Sequence, residues 1–542
     1  MKRKNILLLT GLLLSTCCFA NDGQVGQIPD MSQYILTPPA PETPRINGAK
    51  VFGVRPGSKF LYTIPATGLR PMKFQANGLP KGLKLDAQTG KITGKITKPG
   101  KYIVKLTAEN KLGQYQREFR IVVGDNIALT PPMGWNSWNC WGKSVNQEKV
   151  LSSAKAMVDK GLINYGWSYI NLDDGWQGVR GGKYNAIQPN AKFQDVKSLA
   201  DEIHNMGLKI GIYSGPWVST YGGHIGSEAD YEDGTYEFIK RGMHNDEYRF
   251  QDPAGKLEQN IFYYHGKYSF ATNDAKQWGD WGIDYLKYDW NPNDFYYTKE
   301  MHDALRKLDR DIVYSLSNEA PYGDAPVWSE DANCWRTTGD IRDEWESVKR
   351  LGFCQDKWLA FKKPGHWSDP DMLVVGMVGG WDLQFHYSML TADEQYTHIS
   401  LWSILAAPLL IGCDMSQLDD FTINLLCNNE VIDVNQDALG CQAYPFYSDE
   451  NQVTYVKHLE DGSMAVGLFN KGEKPMEIGF TPSSLGFRGK QKIRDLWRQK
   501  DLCEIDSSEK FTTTVAPHGV VLVKVYPGNS REREINEARK LN

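Results

Sequence analysis

Trp281-Gly-Ile-Asp-Tyr-Leu-Lys-Tyr-Asp-Trp290 is the stretch on which the reading of this chain turns. Residues 285–288 form a short apolar run with β-forming side chains, and the run ends on a carboxylate, Asp289. Side chains alternate along a strand, so Lys287 and Asp289 point to the same side. An acid at the carboxyl end of a buried strand is where barrel enzymes keep their chemistry. The plainer alternative is an Asp that caps the following turn, with Lys287 as its salt-bridge partner. The rest of the chain decides between them.

Working outward, residues 125–440 alternate short apolar runs with longer amphipathic segments. Strands are expected at 133–135, 169–172, 209–212, 285–288, 312–316, 334–336, 366–367 and 409–411, and helices at 147–160, 196–206 and 298–308. The first two helices are each followed by a Gly that can end them. Eight strands alternating with helices predict a (β/α)8 TIM barrel. An open doubly wound sheet would call for a Gly-rich phosphate turn after its first strand, and none is present. One crossover, from Tyr213 toward Ala275, runs to some sixty residues rich in Tyr, Gly and charge. That is far beyond ordinary barrel loops and points to a functional insertion, or else a peripheral subdomain.

The flanks differ in texture. Residues 48–124 carry short alternating strands separated by turns, such as Lys101-Tyr-Ile-Val-Lys-Leu-Thr-Ala, and predict a small β-sandwich, which by resemblance is immunoglobulin-like. Residues 441–527 return to β patterning (Val520-Val-Leu-Val-Lys-Val525) and predict a C-terminal antiparallel sandwich. Residues 21–47 are Pro-rich and read as a linker or tether; the charged tail, 528–542, reads as solvated. The whole is a multidomain chain, as 542 residues demand.

At the N-terminus Lys2-Arg3-Lys4 precedes an apolar run from Ile6 to Leu14, and Cys18-Phe19-Ala20 fits a small-x-small cleavage site. Residues 1–20 are thus expected to be a signal peptide cleaved after Ala20, giving a periplasmic or extracellular protein with no integral membrane segment left. A lipoprotein reading through Cys17 fits less well, because Thr16 precedes it. The seven remaining cysteines are scattered without a CxxC pair, which argues against a zinc site; the export compartment permits one or two disulfides. The ten histidines form no close pair, so no metal or cofactor is expected, and a net charge of −5 gives no reason to expect nucleic acid. Seventeen Trp and 27 Tyr suit a carbohydrate partner, whose C–H faces stack on rings, although most will fill cores.

Taken together, the expected strand ends collect acids and aromatics: Trp135 and Trp138 after the first, Asp173 and Asp174 after the second, Tyr213 after the third, and Lys287 and Asp289 after the fourth. Ser317, Asn318 and Glu319 follow the fifth, Arg336 and Asp340 the sixth, and Asp369 and Asp371 the seventh. A ring of acids in a low-dielectric cup repels itself unless chemistry uses it. Glycoside hydrolysis uses two carboxyls, and Asp289 and Asp340 are the best pair, because each follows a strand and has a cationic neighbour. That cation should keep a nucleophile ionised, whereas an acid must be held protonated by desolvation or by the nucleophile's charge. Asp173 and Asp174 are the rival pair, but adjacent side chains diverge and suit hydroxyl binding better.

Six motifs then carry a resemblance: Leu129-Thr-Pro-Pro-Met-Gly-Trp-Asn-Ser-Trp138, Asn171-Leu-Asp-Asp-Gly-Trp176, Leu208-Lys-Ile-Gly-Ile-Tyr213, Asp284-Tyr-Leu-Lys-Tyr-Asp289, Trp335-Arg-Thr-Thr-Gly-Asp340 and Gly365-His-Trp-Ser-Asp-Pro-Asp-Met-Leu373. In this order they resemble glycoside hydrolase family 27, the melibiase-type α-galactosidases, which also holds α-N-acetylgalactosaminidases and β-L-arabinopyranosidases. The resemblance implies that Asp289 is the nucleophile of a retaining exo-glycosidase acting on terminal α-D-galactosyl groups, and that Asp340 is its acid/base, about 5–5.5 Å away. It implies hydroxyl binding by Asp173 and Asp174, ligand binding by Lys287 and Arg336, and an aromatic wall of Trp135 and Trp138 with Tyr213 nearby. Residues 82–94 likewise resemble the immunoglobulin-like modules beside secreted carbohydrate enzymes. At the fifth strand end the pattern departs: Asn318 stands where many relatives carry a Glu that contacts the 2-hydroxyl, with Glu319 one position later. This departure, the turn Trp290-Asn-Pro-Asn and the insertion bear on substrate choice, leaving arabinopyranosides and N-acetylgalactosaminides as alternatives. A non-catalytic carbohydrate-binding protein is the other class, and the presence of both Asp289 and Asp340 argues against it.

Overall fold

The structure, a computed structural model, describes residues 28–236, 263–382 and 384–528. The expected signal peptide, the start of the Pro-rich stretch, the middle of the insertion after Tyr213 and nearly all of the charged tail lie outside the described residues.

All eight barrel strands form where the patterning places them. They are β1 (Met133–Asn136), β2 (Tyr169–Asn171), β3 (Lys209–Ser214), β4 (Tyr285–Asp289), β5 (Val313–Ser317), β6 (Cys334–Arg336), β7 (Trp367–Asp369) and β8 (Leu409–Ile411). Each pairs in parallel with its neighbour from β1 through β7, and β8 pairs with β1. The ring closes between β7 and β8 through a parallel bridge of Leu373 to Ile411, with the Leu373 N–H on the Leu410 carbonyl at 2.8 Å. Helices Gln147–Asp159, Val196–Asn205 and Phe295–Arg306 start on Asn146, Asp195 and Asp294, whose side chains accept hydrogen bonds from first-turn N–H groups.

Strand parity sorts the side chains into two cores. Tyr169, Tyr285, Val313, Cys334 and Trp367 fill the barrel interior. Their chain neighbours Ile170, Leu286, Tyr314 and Trp335 face the helices in the main cluster. The register carries this parity around the ring: Tyr213 lies level with Lys287, Asp289 with Ser317, and Arg336 with Asp369. Close packing inside requires glycine at position 211, where a Cβ would stand 2.1 Å from Asn171 Oδ1.

The N-terminal module is a sandwich. One sheet holds Val51–Val54, Gly113–Val123, Gly100–Asn110 and Lys73–Asn77; the other holds Lys59–Thr63, Lys91–Lys95 and Leu83–Leu85. Phe60, Ile92, Leu106 and Phe119 are buried between them. The C-terminal domain sets a six-stranded antiparallel sheet against the hairpin-like pair Met476–Phe480 and Phe511–Val515, burying Leu468, Phe480, Ile493 and Val523.

Over its described part, the Pro-rich stretch departs from a free tether. Leu36 N–H donates to the Tyr396 hydroxyl, Thr37 exchanges hydrogen bonds with Asn424 and Asn428, and residues 45–46 pair with 66–67. Its backbone polar groups thus find partners on the barrel helices, which composition does not reveal. The cysteines also differ from the permitted pairing: all seven from Cys140 to Cys503 are free, and Cys140, Cys334 and Cys413 are buried.

The module seats on the amino-terminal end of the barrel, away from the strand ends that carry the acids. Arg55 is its anchor. The guanidinium lies 2.7 Å from Asp311 and donates to the carbonyls of Arg306, Leu308 and Arg310. Removing one partner of a buried, hydrogen-bonded ion pair leaves several groups unsatisfied. Arg55→Ala is expected to lower stability by about 3 kcal/mol and to split a low-temperature transition of the module from the barrel in differential scanning calorimetry. A single unshifted transition would show that the contact is not holding the module.

Candidate active site

The site is a cup at the carboxyl ends of β1 to β7. Asp289 closes β4 with its side chain inside the barrel, and the residue is only 6% exposed. Each carboxylate oxygen has a donor: Tyr213 Oη at 2.9 Å from β3 on Oδ2, and Asn318 Nδ2 at 2.7 Å from the end of β5 on Oδ1. Asn318 and Glu319 both have positive φ, 69° and 54°, a conformation that Asn tolerates better than most residues. The resulting bend turns the Asn318 amide back toward Asp289. Burial pushes Asp289 up to about 7; Lys287 pulls the other way, while Asp340 and Asp173 add to the rise. The expectation that its cation keeps this acid ionised is therefore corrected for the free protein. The physical reason is burial, which outweighs Lys287, whose direct contact is with Asp173 at 2.9 Å.

Asp340 stands on the loop after β6, at the rim, with its side chain 70% exposed. Desolvation within the cup works to raise its pKa, but Arg336 at 3.1 Å and Lys287 outweigh it and hold the carboxyl below its ordinary value. The expectation of an acid already held protonated is corrected as well: in the free protein Asp340 is held below its ordinary value, and Asp289 is the carboxyl that burial raises. Arg336 is buried and bridges Asp340 to Asp371, whose Oδ1 lies 2.8 Å away. Burial lowers the Arg336 pKa, but Asp371 and Asp340 more than offset this and keep it charged.

Asp371 does two things at once. Besides holding Arg336, its Oδ2 accepts the Ile341 N–H at 2.8 Å, which fixes the loop that carries Asp340. Burial raises its pKa to about 6, against Arg336. Truncation to Ala strands a buried guanidinium and a backbone N–H. Asp371→Ala is expected to cost about 3 kcal/mol in urea unfolding, with Asp371→Asn costing less, because its Oδ1 can still accept one of the two bonds. Equal stability of both variants and the parent would refute this role.

Asp173 and Asp174 follow β2 and are each 1% exposed. Asp173 Oδ2 accepts from Asn136 Nδ2 at 2.7 Å and from Lys287, and its Oδ1 accepts the Asp174 N–H. Asp174 is held by the insertion after β3: Thr220 Oγ1 at 2.9 Å, the Gly222 N–H at 2.6 Å and His224 Nδ1 at 3.3 Å. Burial raises Asp174, but these partners bring it below its ordinary value. The same insertion carries Trp217, Tyr221 and Tyr263, whose rings pack together with centroids 5.1–5.4 Å apart. Tyr221 lies within the field of both Asp289 and Asp340, so its segment belongs to the cup wall.

Most of the expected residues converge here, with two corrections. Trp135 is fully buried on the helix-facing side of β1, and its Nε1 donates to the Cys413 carbonyl at 2.8 Å. Parity explains this: Trp135 pairs with the outward-facing Ile170, so Asn136 takes the inward position. Asn136 was legible by counting along the strand; Thr220 and His224 carried no comparable signal, since they reach Asp174 only through the loop's path. Glu319 is exposed and makes no hydrogen bond or ion pair with described residues. Trp138 remains half-buried beside Asn136, whose Oδ1 accepts its N–H. Ser317 lines a small internal space under the cup with Lys287, Arg336, Asp369 and Asp371. A roomier cavity of about 580 Å³ lies at the other end of the barrel, under the N-terminal module and remote from these acids.

Carboxyls gathered at the carboxyl ends of a (β/α)8 barrel, one buried among donors and one at the rim beside an arginine, are the arrangement found in glycoside hydrolases. The alpha galactosidase A family model matches residues 130–253 and 251–437, its C-terminal β-sandwich model matches 449–525, and an Ig-domain model matches 43–124. The chain is 32% identical over 419 residues to a probable alpha-galactosidase of Dictyostelium discoideum, covering 75% of this chain and 94% of that one. A solved protein of Bacteroides fragilis NCTC 9343 superposes with a TM-score of 0.77 at 32% identity, over 90% of this chain and 98% of that chain. A β-L-arabinopyranosidase of Geobacillus stearothermophilus, solved with arabinose, gives a TM-score of 0.64 at 29% identity, over 74% and 98%. The chain belongs to the α-galactosidase A family, glycoside hydrolase family 27, and is a glycosidase.

Proposed function

We propose that the chain is an exported exo-α-D-galactosidase that retains anomeric configuration. The observation that carries this reading is Asp289, buried on the strand end with a donor on each oxygen, facing a cup whose rim holds Asp340. In the first step Asp289 attacks the anomeric carbon, the bond to the leaving oxygen breaks, and the Asp340 proton goes to that oxygen. In the second step Asp340 takes a proton from water, the water oxygen bonds the anomeric carbon, and Asp289 leaves as a carboxylate. A sugar lying in the cup covers Asp340 and strips water from it, which raises its pKa and lets it carry the proton that the leaving oxygen needs. Tyr213 and Asn318 remain on Asp289 to stabilise its charge. The basic N-terminus and its short apolar run support export.

A second reading, β-L-arabinopyranoside hydrolysis, is favoured by one observation. Asp174 already has three partners from the insertion, so it has less to offer a sixth-carbon hydroxyl. A panel of 4-nitrophenyl α-galactoside, α-N-acetylgalactosaminide and β-L-arabinopyranoside tests both, with kcat/KM expected highest for the α-galactoside. Preference for the arabinopyranoside would replace the first reading with the second. No turnover of any of the three would overturn both.

A further inference from the structure

We propose that Trp381 forms a binding face for the leaving group, taking a second sugar ring; the inference rests on the glycosidase reading above and adds a subsite to it. A general acid protonates the leaving oxygen, so the departing group must lie on Asp340's side of the cup. Two residues past Asp340, the Arg342 guanidinium lies 5.1 Å from the centroid of the Trp381 ring. The ring is nevertheless 39% exposed, an uncommon state for a tryptophan in a chain that buries so many.

Its placement is set by the backbone that precedes it. The Gly379 N–H donates to the Asn139 carbonyl at 2.8 Å. At Gly380 a Cβ would stand 1.7 Å from the Cys140 carbonyl oxygen, so only glycine lets the loop after β7 press onto the turn after β1. Asp343, three residues past Asp340, then accepts the Met389 N–H at 2.8 Å and contacts His386 Nε2 at 2.9 Å. The loop bearing the acid and the loop bearing Trp381 are thus tied together. A half-open indole on a loop tied to the one that carries Asp340 matches the apolar C–H face of a pyranose, whose hydroxyls the exposed Arg342 can meet.

The test compares two substrates that share the transferred sugar: 6-O-α-D-galactosyl-glucose, whose leaving group is a second ring, and α-galactosyl fluoride, whose leaving group is one atom. Trp381→Ala is expected to lower kcat/KM on the disaccharide about tenfold, mainly through KM, and to leave the fluoride within about twofold. Trp381→Phe, which keeps a ring face, should recover most of the loss. Equal changes on both substrates, or none on either, would overturn the subsite while leaving the glycosidase reading intact. Failure of the unaltered protein to turn over either substrate would overturn both.

Discussion

Replacing Asp289 with Asn is expected to cut turnover by at least about 10⁴-fold on every glycoside the protein accepts, because in the proposed double displacement Asp289 is the group that bonds the anomeric carbon. Steady-state assay of the purified variant measures it. Residual activity within about tenfold of the parent would remove Asp289 from the mechanism. The same substitution should make the protein more stable at neutral and alkaline pH. The folded-state pKa of Asp289 is raised to about 7 by burial, above its ordinary 3.8. Its favourable contribution is therefore complete below about pH 4 and lost as the pH rises through about 7, where the fold must hold a buried charge. A shift of that size corresponds to about 4 kcal/mol as an upper figure. Asn retains both contacts, with its oxygen accepting from Asn318 and its amide donating to the Tyr213 oxygen. Tm of Asp289→Asn should exceed the parent's by a few degrees at pH 8, and the gap should close toward pH 4. A gap independent of pH would show that the stored charge is not the cause.

Asp340→Asn should separate substrates by leaving group. With a sugar leaving group, kcat/KM is expected to fall about 10²–10⁴-fold. With galactosyl fluoride it should fall far less, because fluoride departs without a proton, while kcat drops as the second step loses its base. Equal losses on both would assign the proton donor to another residue. The pH profiles of the parent should diverge in sign. Galactosyl fluoride needs only an ionised Asp289, so its kcat/KM should rise as the pH passes about 7. A sugar leaving group needs the pair's one remaining proton, so its kcat/KM should fall over the same range. In Asp340→Asn the rise on the fluoride should move to lower pH, since Asp340 is one of the charges that raise Asp289.

The barrel was legible because strand-length apolar runs and capped helices repeat with little interruption, and all eight strands formed near their expected places. Asp289 was legible for the same reason, since a strand end is a position that sequence can locate, and Asp340 lies on the loop that follows β6. What escaped depends on parity or on tertiary reach. Trp135 is one residue out of phase with the cup, and a one-residue step along a strand reverses the face. Lys287 looked like the partner of Asp289 because the two share a face, but register sets it level with Tyr213 and within reach of Asp173. The protonation pattern was misjudged because neighbours in sequence are a poor guide to desolvation: burial raises Asp289, the acid proposed as nucleophile, while Arg336 and Lys287 lower Asp340, the proposed acid/base. The Thr220 and His224 clamp on Asp174 comes from a crossover whose path no local pattern specifies.

The proposed double displacement requires a covalent bond to Asp289. A 2-fluoro-substituted galactosyl donor with a good leaving group slows the second step, and peptide mapping of the quenched protein by mass spectrometry then locates the sugar. The predicted result is one fluorogalactosyl adduct on the peptide containing Asp289, absent from Asp289→Asn. An adduct on Asp340 or elsewhere, or continued turnover with none, would contradict it.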